Sequence, residues 1–587
     1  MKKEWILLRK QADYAMLSRK LGIDPVAVRV MVNRGLTGLD EMREFLSDDI
    51  SESFSYKGLP DLKAAVNKLK DVRDRKLKCR IVGDYDADGV CSVTILMKGL
   101  KLFGIDCDFV IPNRLIDGYG INESIVENAK KDKIGCIITC DNGISARDAI
   151  DLAIDYGMEV IVTDHHTVTA SEVPTKADIL VNPKRDNNTY PFRDICGAAV
   201  AFKVLCALFE GDPAFDSIKD ELLEFVAIAT VTDVMPLTDE NRNAVKWVLK
   251  KLRKSSNPGL RKLCEKCEIS KKAALSCYDI GFRIGPCINA AGRIDVADSC
   301  VRLFLSDDEA KNSKICDRLL ELNDERKALT DLCVKDGTEE VTKKYVDRIP
   351  DVCVLYLPKC HVAICGLVAG RIRENFYRPT LVFTDANGML TGSGRSIDEY
   401  NMIEHIQECS DLLEKFGGHK AACGLSLKKE NLEELIKRLN ENTGLSDEDL
   451  TEKLRIDADM PLSYVSFGLI SDLARLEPFG AGNVTPVFAQ KDLHLVSMRR
   501  FGADRTHMVI TIKDPKGSSK KLKLWRKADD FEEFLNSETG EDLSEIFNSP
   551  DKLFAKNIKL TISYYPELNT FRNETEIQFI VKDYKLS

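Results

Sequence analysis

The stretch Cys79-Arg80-Ile81-Val82-Gly83-Asp84-Tyr85-Asp86-Ala87-Asp88-Gly89 decides the reading of this chain. Its β-prone start, Cys79 to Val82, runs into carboxylates at every second position, Asp84, Asp86 and Asp88. Alternate side chains of an extended backbone share a face, so the three are expected to point into one site. Carboxylates packed that closely repel one another unless cations lie between them. Gly89 is expected to let the backbone turn, and Val90 to Leu102 reads as a helix. The spot then lies at the C-terminal end of a strand, where open α/β sheets bind their ligands. Taken alone, the stretch also fits a solvated acidic turn. It does not fit an EF-hand loop: the twelfth position is Ile95 instead of Glu, and a strand precedes it where a helix belongs.

Outward from this point, strands alternate with helices to about residue 250. Strands are predicted at 79–83, 107–111, 134–140, 159–163 and 178–181, with helices between them such as 122–131 and 145–156. That alternation implies a parallel sheet covered by helices. Its elements end in polar signals. Ile134 to Cys140 ends in Asp141-Asn142-Gly143, and Glu159 to Thr163 ends in Asp164-His165-His166. A helical run, Glu221 to Thr230, ends in Val231-Thr232-Asp233. A lone His is usually a hydrogen-bonded structural residue, but a His pair behind an Asp at a strand end reads as a ligand source. Carboxylates with one or two imidazoles suit Mn²⁺ or Mg²⁺, and ligand type alone leaves Zn²⁺ and Co²⁺ open. Several carboxylates and few neutral donors suggest two ions with one Asp bridging them.

A chain of 587 residues is too long for one core, so about three to five domains are expected. No run of about 18 apolar residues occurs, which argues against a transmembrane helix. The start, from Met1 to Asp13, lacks the apolar core of a signal peptide. Nineteen scattered cysteines, an odd number, point to reduced thiols and a cytoplasmic protein. Cys264-x-x-Cys267 has no second pair at zinc-site spacing and reads as incidental.

The net charge of −9 hides an asymmetry: Val484 to Lys527 holds eleven Lys/Arg against three Asp. A local anionic partner or a solvated basic face would account for it. Short strands are predicted there at 486–489, 494–499, 507–513 and 521–525, then at 557–564 and 575–582, as in a small all-β barrel. Phe501, Trp525, Tyr564 and Phe571 lie among the basic residues. Aromatic faces stack bases while Lys and Arg track the phosphate backbone, so Arg500 and Trp525 are candidate nucleic-acid contacts. Trp525 as a barrel core residue fits equally well.

The motifs Asp84-Tyr85-Asp86-Ala87-Asp88-Gly89, Asp141-Asn142-Gly143-Ile144, Asp164-His165-His166 and Thr232-Asp233 stand in the order of those of the DHH phosphoesterase superfamily. Their wording resembles the RecJ exonucleases. So do Ile111-Pro112-Asn113-Arg114 with Asp117-Gly118-Tyr119-Gly120, and Asn289-Ala290-Ala291-Gly292-Arg293. His361 to Gly366, Gly392-Ser393-Gly394-Arg395-Ser396 and Gly417-Gly418-His419 are similar to the DHH-associated domain. Departures are mild: Asp117 stands where Glu is usual, Val82 for His, Cys360 for Trp and Asn573 for Gly.

The resemblance implies an α/β fold with two α/β units joined by a long helix over 307–329, an N-terminal helical appendage and a C-terminal OB-fold. Expected boundaries are 1–52 for the appendage, 53–275 for the DHH domain on which it is expected to sit, and 276–345 for the connecting segment. The DHH-associated domain is expected at 346–454 and the OB-fold at 455–587. The implied activity is metal-dependent 5′-to-3′ exonuclease action on single-stranded DNA, with two ions, Mn²⁺ or Mg²⁺. It implies Asp86 and Asp88 on different ions, Asp141 bridging, His165 and Asp233 completing the shell, and Asp84 as ligand or orienter. His166 and His419 would contact the scissile phosphate. Arg293, Ser393 and Arg395, with Gly418 and an assisting Arg114, would hold the terminal 5′ phosphate. A role in DNA repair and recombination, helicase and single-strand-binding partners, a monomer and no membrane association are also implied. Two rival functions stay open: a phosphodiesterase of short oligonucleotides or cyclic dinucleotides, and a non-catalytic single-strand scaffold. DNA is not distinguished from RNA by these motifs.

Overall fold

The computed structural model describes residues 3–114, 116–169, 171–346, 348–386, 388–441, 443–547, 549–571 and 574–587. Asn573 and the side chain of Phe571 lie outside the described parts. The chain divides into two compact units, Asp48–Glu452 and a second made of Lys3–Ser47 with Lys453–Ser587. No described helix is long and apolar enough to cross a membrane.

The first unit opens with a five-stranded, all-parallel sheet. Across it the strands run Cys107–Val110, Cys79–Val82, Cys136–Cys140, Glu159–Thr163 and Leu180–Val181. Cys79–Val82 and Cys136–Cys140 are buried at every residue, so they lack the apolar–polar alternation of a half-exposed strand; Arg80, the one charge among them, is paired with Asp108 and Asp132. The chain leaves Cys79–Val82 toward one side and returns to Cys136–Cys140 on the other. That reversal makes a topological switch point between these two strands, and the crevice above it is the natural ligand site. Against one face packs the helix Ala87–Phe103, itself buried by Gly197–Leu208 and Lys219–Thr232.

A second five-stranded sheet comes next, in the order Leu413–His419, Ala422–Leu427, Met389–Arg395, Thr380–Ala386, Cys353–Tyr356. Only its last pair is parallel. The helix Glu309–Lys344 spans the neighbourhoods of both sheets; its 36 residues make it about 54 Å long. The sequence predicts its end at 329, fifteen residues early. Gly337 sits inside the helix, where a Cβ would come within 2.6 Å of Ile372. Close packing on Ile372 explains that glycine.

In the second unit, strands Phe488–Phe501, His507–Lys513, Ser519–Leu524, Glu574–Leu586 and Lys559–Phe571 close into a barrel through pairing of the first with the last. Two strands predicted at 486–489 and 494–499 are one. Its register slips between Gln490 and Leu493, where Asp492 takes φ 57°. The bulge mimics a break in the alternation. The sequence pattern does not predict the helices Ala528–Thr539 and Pro550–Ala555. Residues 1–52 also differ from expectation. Glu4–Leu7 is a strand, paired in parallel with Lys453–Ile456. Trp5 donates to Asp583 at 2.8 Å, and Arg34 grips Asp457 through both terminal nitrogens. The buried side of Pro25–Asn33 joins Met460, Phe488 and Tyr564 in one core. The N-terminal helices therefore cover the barrel and not the parallel sheet next to them in sequence.

Candidate active site

The three carboxylates of the opening motif do not share a strand face. The strand ends at Val82, and Asp86 is the N-cap of Ala87–Phe103. Asp86 Oδ1 accepts from the backbone of Asp88 (3.0 Å) and Gly89 (3.1 Å). Asp88 faces the other way, its two oxygens accepting from Gly197 and Ala198 at 2.7 Å each. It thereby caps the helix Gly197–Leu208. Gly89 makes no turn; it lies within the helix, where a Cβ would meet the backbone of Asp84 at 2.4 Å. A helix start thus sends Asp86 and Asp88 to different partners.

Asp141 sits just past Cys136–Cys140 in the left-handed region, φ 61°. Such backbone strain is sustained only where the surroundings fix it. Asn142 supplies that fixing. It donates to the carbonyls of Val82 (3.1 Å) and Cys140 (2.9 Å) and accepts from Ile121 (3.0 Å). Gly197 closes the other side: a Cβ there would lie 2.6 Å from that of Asp141.

Past Glu159–Thr163, Asp164 is buried and fully engaged. It accepts from the backbone of Ile144 (2.9 Å), His165 (2.7 Å) and His166 (3.1 Å), and pairs with the His166 ring at 2.8 Å. Burial opposes its charge, but the His166 bond and the histidine charges hold its pKa below the usual carboxylate range. The same bond, set against burial, lifts His166 to about 9. His165 moves down to about 4, through burial first and the neighbouring His166 second.

These elements converge. Ligand atoms of Asp84, Asp86 and Asp141 lie within 4.8 Å of one another, as do those of Asp88, His165 and Asp233, and of Asp141, His165 and His166. His165 Nε2 stands 3.1 Å from Asp141, 3.6 Å from Asp88 and 3.7 Å from Asp233. Burial and mutual repulsion raise the carboxylates, Asp88 to about 7, Asp233 to about 8, and Asp84 and Asp141 well above their usual range. Asp84 Oδ1 and Asp141 Oδ1 are buried with no hydrogen-bond partner among the described residues. Buried, mutually repelling oxygens without donors are what a hard divalent cation would satisfy.

Beside the cluster lies positive charge. Burial, then Arg114, Arg326 and Arg395, brings Arg293 down to about 9, with Asp86 acting the other way. Arg293 donates to Ala363 O at 2.6 Å, tying its helix to the second sheet's half of the unit. Arg395 and Ser393 alternate along Met389–Arg395 and so share a face. Arg114 lies 4.9 Å over the ring of Tyr85. Gly418 (φ 147°) and His419 end the exposed edge strand Leu413–His419. Burial, Arg395 and then His166 lower the His419 pKa, so the two histidines face each other's field.

Three further residues enter. Tyr119 donates to Asp141 O (2.9 Å) and its hydroxyl lies 3.2 Å from the His166 ring. Asn289 accepts from the backbone of Ala87 (2.8 Å), and Asp164 orients both histidines. All three stand inside sequence motifs, but no spacing rule separates them from their neighbours. In the second unit the two candidates part company. Trp525 is 44% exposed, edge-on to Phe501 (5.4 Å) and His507 (4.9 Å), which answers against a core role. Arg500 is not free: Glu532 holds it at 2.8 and 2.7 Å, and Asp529 at 2.7 Å.

Comparison with known proteins gives the same layout. Residues 78–230 match the model of the DHH family N-terminal domain, 350–444 that of the DHHA1 domain and 456–583 that of the RecJ OB domain. The single-stranded-DNA-specific exonuclease RecJ of Salmonella typhimurium is 32% identical over 461 residues, 75% of this chain and 78% of that protein. This chain belongs to the RecJ family. The RecJ of Bacillus subtilis is 33% identical over 521 residues, 87% of this chain, which spans 64% of that relative's length. Among solved structures, RecJ of Thermus thermophilus in complex with Mn²⁺ superposes with a TM-score of 0.80 at 25% identity, covering 99% of this chain and 79% of that one. An exonuclease RecJ bound to manganese superposes at 0.57 with 32% identity, covering 68% of this chain and 97% of that one.

Proposed function

We propose that this chain is a metal-dependent exonuclease that removes nucleotides from the 5′ end of single-stranded DNA. One observation carries the reading: three ligand groups are linked in a row, one overlap being Asp141 and the other His165, beside a cluster of guanidinium groups. Two divalent cations, Mn²⁺ or Mg²⁺, fit the donor set. Asp84 and Asp86 would hold one, Asp88, His165 and Asp233 the other, and Asp141 would serve both. Bound there, the ions supply the Lewis acidity that phosphodiester hydrolysis needs.

The chain's own residues do the placing. Asp164 keeps the His166 ring turned toward the cluster, and its carboxylate favours the protonated ring, so His166 is placed to meet the scissile phosphate. His419 approaches from the second sheet. Arg293, Ser393 and Arg395, with Arg114, hold the terminal phosphate, and a bidentate guanidinium grip fixes both position and orientation. Holding the end sets the polarity by placing the first phosphodiester over the ligand groups. The barrel, with its exposed Trp525, offers a stacking contact for a single strand. We place the protein in the cytoplasm as a monomer, in DNA repair and recombination, with helicase and single-strand-binding proteins as partners.

The test is digestion of end-labelled single strands with Mn²⁺. Label at the 5′ terminus should leave first, as mononucleotides. Faster loss of the 3′ label would overturn the polarity, and cutting of very short oligonucleotides alone would favour a short-oligonucleotide phosphodiesterase.

A further inference from the structure

Tyr278 and Phe282 are 58% and 64% exposed, yet their rings stack on each other with centroids 4.8 Å apart and planes 16° from parallel. Two large aromatic side chains held together in water present an apolar face left exposed by the described residues of the first unit, and such a face marks a binding surface. The scaffold beneath is firm. Ser276 and Asp279 form a capping box, Lys272 pairs with Asp279, and Arg283 donates to Cys267 O at 3.2 Å. The helix then passes through a π-helical stretch, Ile280–Ile284, a distortion that recurs at functional sites.

The place of this segment says what would cover it. Gly285 is pressed so closely on Thr232 that a Cβ would lie 2.3 Å from the threonine methyl, and Thr232 is followed by Asp233. The same helical run continues to Asn289, bonded to the start of Ala87–Phe103, and to Arg293. Phe282 is about 16 Å along the helix from Arg293. The aromatic pair thus stands on the helical segment that packs against Val231 and Thr232, next to Asp233, and runs on to Arg293. Of the charged residues beside it in sequence, Lys272 and Arg283 share the buried Asp279, and Lys271 adds a further positive charge.

We infer that Tyr278 and Phe282 form a stacking platform for a base of the single strand, a few nucleotides from its terminal phosphate. This rests on the nuclease reading above. Stacking is tolerant of sequence because every base has a π-face, so the platform would hold any strand without reading it. It would be a positioning device: it orders the strand past the ligand cluster and touches no reacting atom.

The experiment keeps the two readings apart. Strands carrying 2-aminopurine at successive positions are titrated onto the full chain in chelator, where nothing is cut. Digestion kinetics with Mn²⁺ are measured separately. The platform predicts fluorescence quenching at one or two internal positions, lost in Tyr278→Ala/Phe282→Ala and kept in Tyr278→Phe/Phe282→Tyr. It also predicts a KM for a strand of roughly twenty nucleotides raised about tenfold or more in the double alanine variant, with a smaller change in kcat. An abasic residue at the quenched position should raise the wild-type KM similarly and add nothing in the variant. Unchanged quenching and KM in the double alanine variant overturn the platform and leave the nuclease reading standing. Quenching that tracks the aromatic pair in a protein that cuts no strand supports the platform and sinks the nuclease reading.

Discussion

His165 Nε2 stands 3.1 Å from Asp141 Oδ1, and that oxygen, buried, accepts no hydrogen bond from the described residues. The two residues lie just past strands that are direct neighbours, Cys136–Cys140 and Glu159–Thr163. The sheet brings them together and leaves the oxygen unsatisfied. A group so placed lowers stability unless a cation completes it.

Asp141→Asn tests this in two directions at once. It removes a shared carboxylate, so Mn²⁺-dependent turnover should fall by at least on the order of a hundredfold. It also removes a buried charge whose pKa burial and Asp88 push well above its usual range. Asn tolerates the left-handed backbone that Asp141 adopts. The melting temperature in chelator should therefore rise. Retained turnover would take Asp141 out of the mechanism, and a lower melting temperature would show that its charge is not a source of strain.

The ion-free protein should lose stability as pH rises from about 6.5 to 9. Asp88 and Asp233 have folded pKa values of about 7 and 8, raised from 3.8, and His166 about 9, raised from 6.5. A raised folded value means that the unfolded chain binds fewer protons across the window, so the slope of stability against pH is negative. The stabilisation is complete below the unfolded values and is lost as each folded value is passed. His165, lowered to about 4, acts oppositely, but only below 6.5. Melting temperatures in chelator across this range should fall, and Mn²⁺ should flatten the curve by neutralising the same carboxylates. A flat curve without ions would refute the reading of the cluster's charge.

Much of the site is legible in the sequence because its residues stand at the ends of apolar strands, and a parallel sheet brings strand ends together. Asp141 and His165 need only that rule. Asp86 and Asp88 emerge from the pattern for a partly wrong reason. Alternation suggests a shared face, whereas a helix cap separates them into two ligand groups. Arg500 reads as a nucleic-acid contact because its partners, Asp529 and Glu532, lie on a helix that the sequence pattern does not reveal. Residues 3–47 read as attached to the wrong neighbour, since amphipathic helices show that they have an apolar face but not what covers it.

Gly197→Ala changes no ligand, yet should weaken the site. The new methyl would lie 2.6 Å from Asp141 Cβ and 2.7 Å from its Oδ1. Relief requires moving either Asp141 or the helix Gly197–Leu208, whose first amides hold Asp88 at 2.7 Å. Both candidate ligand groups are disturbed by one atom. Overpacking of this kind costs about 1–3 kcal/mol, to be read from denaturant unfolding. Mn²⁺ affinity by calorimetry should drop about tenfold or more. Unaltered affinity would mean that the close approach is irrelevant to ion binding.

Two substitutions in the barrel should separate strand binding from barrel stability. Trp525 is 44% exposed and presents its ring beside Lys523, whose ammonium lies 6.0 Å from the ring. Trp525→Ala should weaken single-strand affinity about tenfold, since stacking on an aromatic is worth about 1–3 kcal/mol per base, with little change in melting temperature. Arg500 is committed elsewhere, bridging the strand Phe488–Phe501 to Glu532 and Asp529 on Ala528–Thr539. Arg500→Ala should lower the melting temperature and leave two unpaired acids, while the dependence of affinity on salt stays the same. A phosphate-contacting arginine, once removed, would reduce that salt slope by about one. A reduced slope for Arg500→Ala would show that Glu532 and Asp529 release the guanidinium when a strand arrives.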